Sequence, residues 1–179
     1  MLVNSENKQL TFLDQEPEIE NPVECKSLEK LAWRMHIDGA SRNNPGKAGA
    51  GFCLQRSEVK QCEQGFFVGH RTNNQAEYFA LLLGLFFAKE YLDKHDVLLI
   101  FSDSQLLVRQ MTGVYKIRDP LLQKLKIVAE QFMKDYKITF CHVYREHNER
   151  ADFLANRGID KSVPMPKKFV DMLAKHDVI

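Results

Sequence analysis

The sequence has no long hydrophobic run and no cysteine pattern of the kind that binds zinc or forms a disulfide framework. The longest apolar stretch, residues 81–88, contains Gly84 and is shorter than the roughly 20 residues needed to cross a bilayer, so we expect no membrane role. The four cysteines show no C-x-x-C spacing, which favours reduced thiols. The opening residues, MLVNSENKQL, resemble neither a secretory leader nor an import presequence. These absences predict a cytoplasmic protein.

One pair of cysteines lies on either side of a predicted tight turn. A turn centred on Ser57 and Glu58 would place Cys53 directly across from Cys62. Because a reducing compartment keeps thiols free, we expect two packed thiols there rather than a disulfide.

Charge is unevenly distributed along the chain. Residues 1–30 carry seven acidic and three basic side chains. Because the net charge of the whole chain is +1, residues 31–179 carry a net charge of +5. The acidic segment lacks strand or helix periodicity, so we expect residues 1–30 to form a disordered extension. The basic remainder suits a nucleic-acid partner, although a charge of this size is common among proteins of other kinds.

Length and composition favour a single hydrophobic core. A chain of 179 residues that is 44% hydrophobic and 27% charged has room for one domain, which we place at residues 31–160. In the tail, residues 161–179, Phe169, Met172 and Leu173 recur at helical spacing and predict a short helix. The sequence allows three packing partners for this tail, namely its own domain, a second copy of the chain or a substrate. We expect a monomer, with a homodimer as the alternative.

Strand signals come first in the domain, and helix signals follow. Alternating residues at 33–38, 49–55 and 59–68, separated by turn-rich segments, predict an antiparallel meander of three strands. Thr72 and Gln75 then form a capping box before a long apolar helix. Further strands are expected at 97–101 and 138–144, and further helices after 104, at 121–136 and at 148–156.

This element order predicts an α/β fold with a mixed sheet. The late strands should join through right-handed crossovers and run parallel to the first strand, with helices on both faces. Asp38 and Asp103 would then lie at the carboxyl ends of parallel strands, where such sheets bind ligands.

Four acidic residues on four elements form a candidate metal site. Two adjacent aspartates repel each other unless a cation neutralises them, and carboxylate oxygens suit Mg²⁺ or Mn²⁺. We expect Glu77 in the first turn of the long helix and Asp152 in the last helix to join Asp38 and Asp103. Taken singly, each acid is better explained as a helix cap or a solvated group, and only the four acids together favour a metal site.

Four motifs in the same order resemble type 1 ribonuclease H over about residues 35–158. They are D-G-A-S-R-N-N-P-G, T-N-N-Q-A-E-Y, S-D-S-Q-L and R-E-H-N-E-R-A-D-F-L-A-N. The resemblance implies the ribonuclease H-like fold, a five-stranded mixed sheet of order 3-2-1-4-5 with helices on both faces. It also implies a catalytic, metal-binding quartet of Asp38, Glu77, Asp103 and Asp152.

The resemblance further implies an activity. Members of this family hydrolyse the RNA strand of RNA/DNA hybrids with two Mg²⁺ ions, for which Mn²⁺ can substitute, leaving 5′-phosphate and 3′-hydroxyl ends. By position, Asp38, Glu77 and Asp103 would hold one ion, and Asp38 with Asp152 the other. Glu77 would also accept a hydrogen bond from the 2′-hydroxyl beside the cut.

Four polar residues match substrate-binding positions of the family. Asn44, Asn73 and Gln105 would contact nucleotide edges and sugars, and Thr72 a phosphate of the DNA strand. The alternative for Thr72 is a helix cap alone, and for Asn73 a turn residue.

Two features place the sequence near a compact branch of the family. The basic protrusion is absent, and so is the long histidine loop before the last acidic helix. Arg145 or His147 would replace the loop histidine, although His147 is equally explained as a solvated turn residue.

Two other functions compete with this interpretation. A non-catalytic nucleic-acid-binding module with the same fold usually loses its carboxylates, whereas this chain has all four. A DEDD-type exonuclease on a related fold needs an Asp-x-Glu motif on its first strand, where this chain has Asp38-Gly39-Ala40. We therefore expect a hybrid-cleaving nuclease.

Overall fold

The computed structural model describes residues 32–57 and 59–179, so the predicted acidic extension, residues 1–30, lies outside the described residues. Five strands and five α-helices make up the described chain. They are β1 Trp33–Ser41, β2 Gly46–Arg56, β3 Val59–Arg71, α1 Asn73–Ala88, β4 Val97–Ser102, α2 Gln105–Met111, α3 Pro120–Met133, β5 Lys137–His142, α4 Glu149–Asp160 and α5 Lys167–Lys175, with a 3-10 turn at Arg145–His147.

The strands form one mixed sheet, as predicted. Their order is β3-β2-β1-β4-β5. β1, β2 and β3 are antiparallel neighbours, whereas β4 pairs parallel to β1 and β5 parallel to β4. The carboxyl ends of β1, β4 and β5 therefore lie at the same edge of the sheet.

The ends of several elements differ from the predicted ones. The first hairpin is longer because Ser41 still pairs with Ala48, in a Gly- and Ala-rich stretch that shows no hydrophobic alternation. α3 ends at Met133 rather than at residue 136, and β5 ends at His142 rather than at residue 144. α4 continues to Asp160, four residues beyond its predicted end.

Helices cover both faces of the sheet. α1 packs between the sheet and α3, which explains why Leu81, Leu82 and Leu83 are all completely buried. Burying a leucine side chain stabilises the fold by about 1.5–3 kcal/mol, so α1 is the centre of the core. Among the residues that the structure describes, no helix has the length and apolar character that a membrane crossing requires.

α4 lies unusually close to the other face of the sheet. A Cβ atom added at Gly65 would come within 1.9 Å of the Leu154 carbonyl oxygen, and one at Gly51 within 2.4 Å of the Ala151 oxygen. Any larger residue at these strand positions would push α4 away from the sheet. The two glycines therefore fix the height of the helix that carries Asp152.

The prediction that Cys53 faces Cys62 is wrong. Cys53 pairs with Glu63, and Leu54 pairs with Cys62, because an irregularity between Leu54 and Gln55 shifts the register. Neighbouring residues of a strand point to opposite faces, so the two thiols lie on opposite sides of the sheet. Neither Cys53 nor Cys62 forms a disulfide.

The tail packs on its own domain. The Phe67 N–H donates to the Val163 carbonyl at 2.7 Å, which ties the segment after α4 to β3. In α5, Phe169 and Leu173 are completely buried, and the Phe169 ring contacts Phe86 edge-on with centroids 5.4 Å apart. The hydrophobic core therefore extends beyond residue 160.

Candidate active site

Three carboxylates meet at the carboxyl edge of the parallel strands. One carboxylate oxygen each from Asp38, Glu77 and Asp103 lie within 4.8 Å of one another. Asp38 belongs to β1, and Asp103 directly follows β4, so parallel pairing of these strands brings the two aspartates together. Glu77 comes from α1, which packs on one face of the sheet.

The prediction that Glu77 lies in the first turn of its helix is wrong. α1 begins at Asn73, and its first turn contains no acidic residue. The helix dipole acts mainly within the first turn, so it contributes little to holding this carboxylate charged.

Asp152 lies at the margin of the same site. It lines a cavity of about 290 Å³ together with the three clustered acids. Its Oδ1 accepts a hydrogen bond from the Arg145 guanidinium at 2.8 Å, and its side chain keeps 29% of its exposure. Four acids thus surround one cavity, and one oxygen from each of three of them lies within 4.8 Å of the others.

Burial and mutual repulsion raise the pKa values of the inner acids. The pKa of Asp38 rises from 3.8 to about 8, first because of burial and then because of the charges of Asp103 and Asp152. The pKa of Glu77 is raised well above its usual value by burial and by Asp38 and Asp103, while a hydrogen bond from the Gly39 N–H opposes the rise. Holding these acids together in their charged form therefore requires a compensating cation.

The donor set fits a divalent metal ion. Glu77 is 4% exposed, and its Oε2 is a buried oxygen without a hydrogen-bond partner among the described residues. Buried polar atoms are rarely left unpaired, and clustered carboxylate oxygens are the ligands that hard cations such as Mg²⁺ prefer. The residues present therefore match a metal site better than a purely structural acidic cluster.

Asn148, which the sequence reasoning did not single out, is part of this site. It is 1% exposed and donates through Nδ2 to the Ile37 carbonyl at 2.9 Å and to Asp103 Oδ1 at 3.2 Å. It lies inside the R-E-H-N-E-R-A-D motif, four residues before Asp152, so its place in the motif was the available signal.

The residues expected to bind substrate lie around the start of α1 and α2. Thr72 Oγ1 accepts from the Gln75 N–H at 3.2 Å, and the Gln75 side chain accepts from the Thr72 N–H, which confirms the capping box. Asn44 Oδ1 accepts from the Asn73 N–H at 3.0 Å, and Asn73 lines the acidic cavity. Gln105 is exposed at the first position of α2. Their contacts with substrate stay predictions.

The two candidates for replacing the loop histidine occupy different places. Both lie in the 3-10 turn before α4. Arg145 lines the acidic cavity, whereas His147 lines a separate cavity of about 230 Å³ with His36 and Cys53. Arg145 is therefore the one that reaches the acids.

Comparisons with known proteins agree with this geometry. A family model described as "Reverse transcriptase-like" matches residues 36–158. Ribonuclease HI of Halobacterium salinarum is 40% identical over 129 residues, which cover 70% of this chain and 63% of that protein. The bifunctional protein Rv2228c of Mycobacterium tuberculosis is 36% identical over 129 residues, which cover 70% of this chain and 35% of that protein. The chain thus spans less than two thirds of the length of these relatives.

One solved structure is informative about ligands. The crystal structure of LC11-RNase H1 in complex with an RNA/DNA hybrid superimposes with a TM-score of 0.66 at 34% identity, covering 73% of this chain and 98% of that one. The region matched by the family model, residues 36–158, contains Asp38, Glu77, Asp103 and Asp152.

Proposed function

The chain belongs to the ribonuclease H family, and from that premise we propose that it is a metal-dependent endonuclease that hydrolyses the RNA strand of RNA/DNA hybrids. The observation that carries the proposal is the convergence of Asp38, Glu77 and Asp103 within 4.8 Å in a partly buried cavity. A relative with the same fold binds an RNA/DNA hybrid, which supports this substrate class.

Two divalent ions, Mg²⁺ or alternatively Mn²⁺, are the proposed cofactors. Asp38, Glu77 and Asp103 would hold the first ion, and Asp38 with Asp152 the second. Such a pair supplies an activated water nucleophile and charge stabilisation for the leaving 3′-oxygen. The products would carry 5′-phosphate and 3′-hydroxyl ends.

Polar side chains around the cavity would orient the hybrid. Glu77 would accept a hydrogen bond from the 2′-hydroxyl next to the scissile phosphate, which distinguishes RNA from DNA. Asn44, Asn73 and Gln105 would contact sugars and base edges. Thr72, at the N-terminus of the 16-residue helix α1, would bind a phosphate of the DNA strand, where helix N–H groups favour anions.

We propose an electrostatic role for Arg145 rather than acid catalysis. Its guanidinium stays protonated at any physiological pH, so it cannot donate a proton to the leaving oxygen. Its charge lies beside Asp152 and lowers the pKa of Asp38, against the larger effects of burial and the neighbouring acids. A cation there would attract the scissile phosphate and stabilise the negative charge that develops on it.

The decisive experiment compares end-labelled RNA/DNA hybrid, double-stranded RNA, single-stranded RNA and double-stranded DNA in one cleavage assay. We expect internal cuts in the RNA strand of the hybrid with Mg²⁺ or Mn²⁺, and none with EDTA or in Asp38→Asn. Asp135→Asn, which changes an exposed aspartate paired with Lys94, is the matched control and should cleave normally.

Two outcomes would overturn the proposal. Cleavage by Asp38→Asn at the wild-type rate would show that the acidic cluster does not take part in catalysis. Tight binding of the hybrid by the wild type without any cleavage would instead identify a non-catalytic binding module.

A further inference from the structure

Asn148 joins the segments that carry three of the four acids. Its Nδ2 donates to Asp103 Oδ1 at 3.2 Å and to the carbonyl of Ile37, the residue before Asp38, at 2.9 Å. Its own carbonyl accepts from the Asp152 N–H at 3.1 Å. One residue therefore contacts β1, the end of β4 and the first turn of α4.

The side chain of Asn148 does not cap the helix that follows it. Asparagine is among the preferred N-cap residues because its side-chain oxygen accepts a hydrogen bond from the first turn of the helix. Asn148 occupies the N-cap position of α4, yet within the described structure its side chain makes no capping hydrogen bond. Its amide nitrogen instead donates to the Asp103 carboxylate and to the Ile37 carbonyl.

The chemistry of an amide suits this position. An amide nitrogen offers two hydrogens, and here each has an acceptor, so Asp103 is held in one orientation relative to β1. A lysine or arginine would orient Asp103 equally well but would also neutralise the charge that a metal ion requires. At 1% exposure, water cannot easily replace these hydrogen bonds.

We propose that Asn148 is a positioning residue, whose buried amide fixes Asp103 relative to Asp38 and Asp152 and thereby sets the affinity of the site for divalent metal ions. The inference rests on the proposed function of the same site. It predicts that loss of Asn148 weakens metal binding much more than hybrid binding, because Asn148 supports the carboxylates and not the substrate contacts.

The test measures binding of the metal ion directly. Isothermal titration calorimetry with MgCl₂ and MnCl₂ on the full chain should give a metal Kd about 10- to 100-fold weaker for Asn148→Ala than for wild type, the usual effect of losing a group that orients a ligand. Asn148→Leu has the same number of side-chain heavy atoms and adds no charge, so a loss of metal affinity there could be attributed neither to a cavity nor to a new carboxylate. We expect metal binding by Asn148→Leu to be weakened to a similar degree, because this variant also loses the amide donor.

A matched control separates positioning from stability. Gln110 is another buried amide, and its Oε1 accepts from the Tyr78 hydroxyl at 3.0 Å, away from the acids. Gln110→Ala should lower the unfolding midpoint to a similar degree yet leave metal affinity within about twofold of wild type. In steady-state assays at subsaturating metal, kcat should fall for the Asn148 variants while KM for the hybrid stays nearly constant.

The outcomes distinguish the inference from the function on which it rests. If both Asn148 variants bind metal as tightly as Gln110→Ala while circular dichroism shows them folded, the positioning role is wrong. If Asn148→Ala fails to fold, then a folded Asn148→Leu that binds metal with wild-type affinity would also show that the positioning role is wrong. If the wild type neither binds metal nor cleaves hybrid, the proposed function itself fails.

Discussion

Gly39 lies directly against the backbone of Glu77, so closely that a Cβ atom at residue 39 would come within 2.1 Å of the Glu77 nitrogen. The Gly39 N–H also forms a hydrogen bond that favours the charged form of the Glu77 carboxylate. The missing side chain therefore allows α1 to approach β1 until Glu77 and Asp38 share one site.

Gly39→Ala should displace α1 and separate the acids. A misplacement of about 1 Å can cost about 100-fold in rate, so we expect a loss of kcat on that order for hybrid cleavage. Gly84→Ala is the control. Gly84 also lies where α1 packs on β1, but its Cβ would meet the flexible end of the Met35 side chain, at 2.5 Å, rather than backbone. Equal activity of the two variants in one assay would contradict the proposed role of Gly39.

Without metal, the fold should lose stability as the pH rises. Between pH 3.8 and about 8 the folded chain retains a proton on Asp38 that the unfolded chain has released. The folded state then binds more protons, so the free energy of unfolding falls with rising pH, by about 1.4 kcal/mol for each unit of pKa shift.

Thermal melts in EDTA at pH 5 and pH 8 measure this effect. Because other groups also titrate, the informative comparison is with Asp38→Asn, which should show a smaller decline between the two pH values. Adding Mg²⁺ at pH 8 should raise the wild-type midpoint more than that of the variant. Identical pH slopes for the two proteins would show that Asp38 ionises normally.

Thr72→Asp separates helix capping from phosphate binding. Aspartate caps a helix as well as threonine does, so the unfolding midpoint should change little. Its negative charge would repel a phosphate, and we expect the Kd for the hybrid to rise about tenfold with a shallower salt dependence. Thr72→Ser retains the hydroxyl and serves as the control. If both variants bind hybrid with the same affinity, Thr72 is a cap alone.

Arg145→Gln should lower turnover without affecting stability. The Arg145 side chain is 78% exposed, and exposed ion pairs contribute about 0–1 kcal/mol. We expect kcat under multiple-turnover conditions to fall about tenfold and to recover partly in Arg145→Lys. Arg42→Gln removes another exposed arginine that pairs with α4, through Asp160 at 2.7 Å, and should retain full activity. A comparable loss in Arg42→Gln would point to a general charge effect.

Phe169→Ala tests the contribution of the tail to the core. Replacing a completely buried phenylalanine by alanine typically costs about 3–5 kcal/mol, and urea denaturation should show a loss of that size. Ile127→Ala, at a site 54% exposed, should cost far less. Below the unfolding transition Phe169→Ala should still cleave hybrid, since Phe169 lies in the core rather than around the acids. A loss under 1 kcal/mol would show that the tail packs only loosely.

Sequence patterns were sufficient for much of the fold and for the cluster of three acids. Strand alternation, the capping box at Thr72 and the continuous apolar run of β4 each depend on neighbours close in the chain, so periodicity reveals them. The prediction for Cys53 was wrong because strand pairing, rather than sequence periodicity, decides which residues face each other. The register shift between Leu54 and Gln55 moved Cys53 opposite Glu63, and no local pattern marks such an irregularity.

By itself the sequence determined which residue types the site contains and on which elements they lie, because motif order and hydrophobic periodicity are properties of the chain alone. Tertiary packing decided how closely these residues approach. The absence of a side chain at Gly39 lets α1 bring Glu77 close to β1, and the same absence at Gly51 and Gly65 lets α4 pack close to the sheet. Asn148 connects the ends of β1 and β4 through hydrogen bonds of its buried amide. Steric exclusion and hydrogen-bond geometry act between segments far apart in the chain, so they appear only once those segments meet.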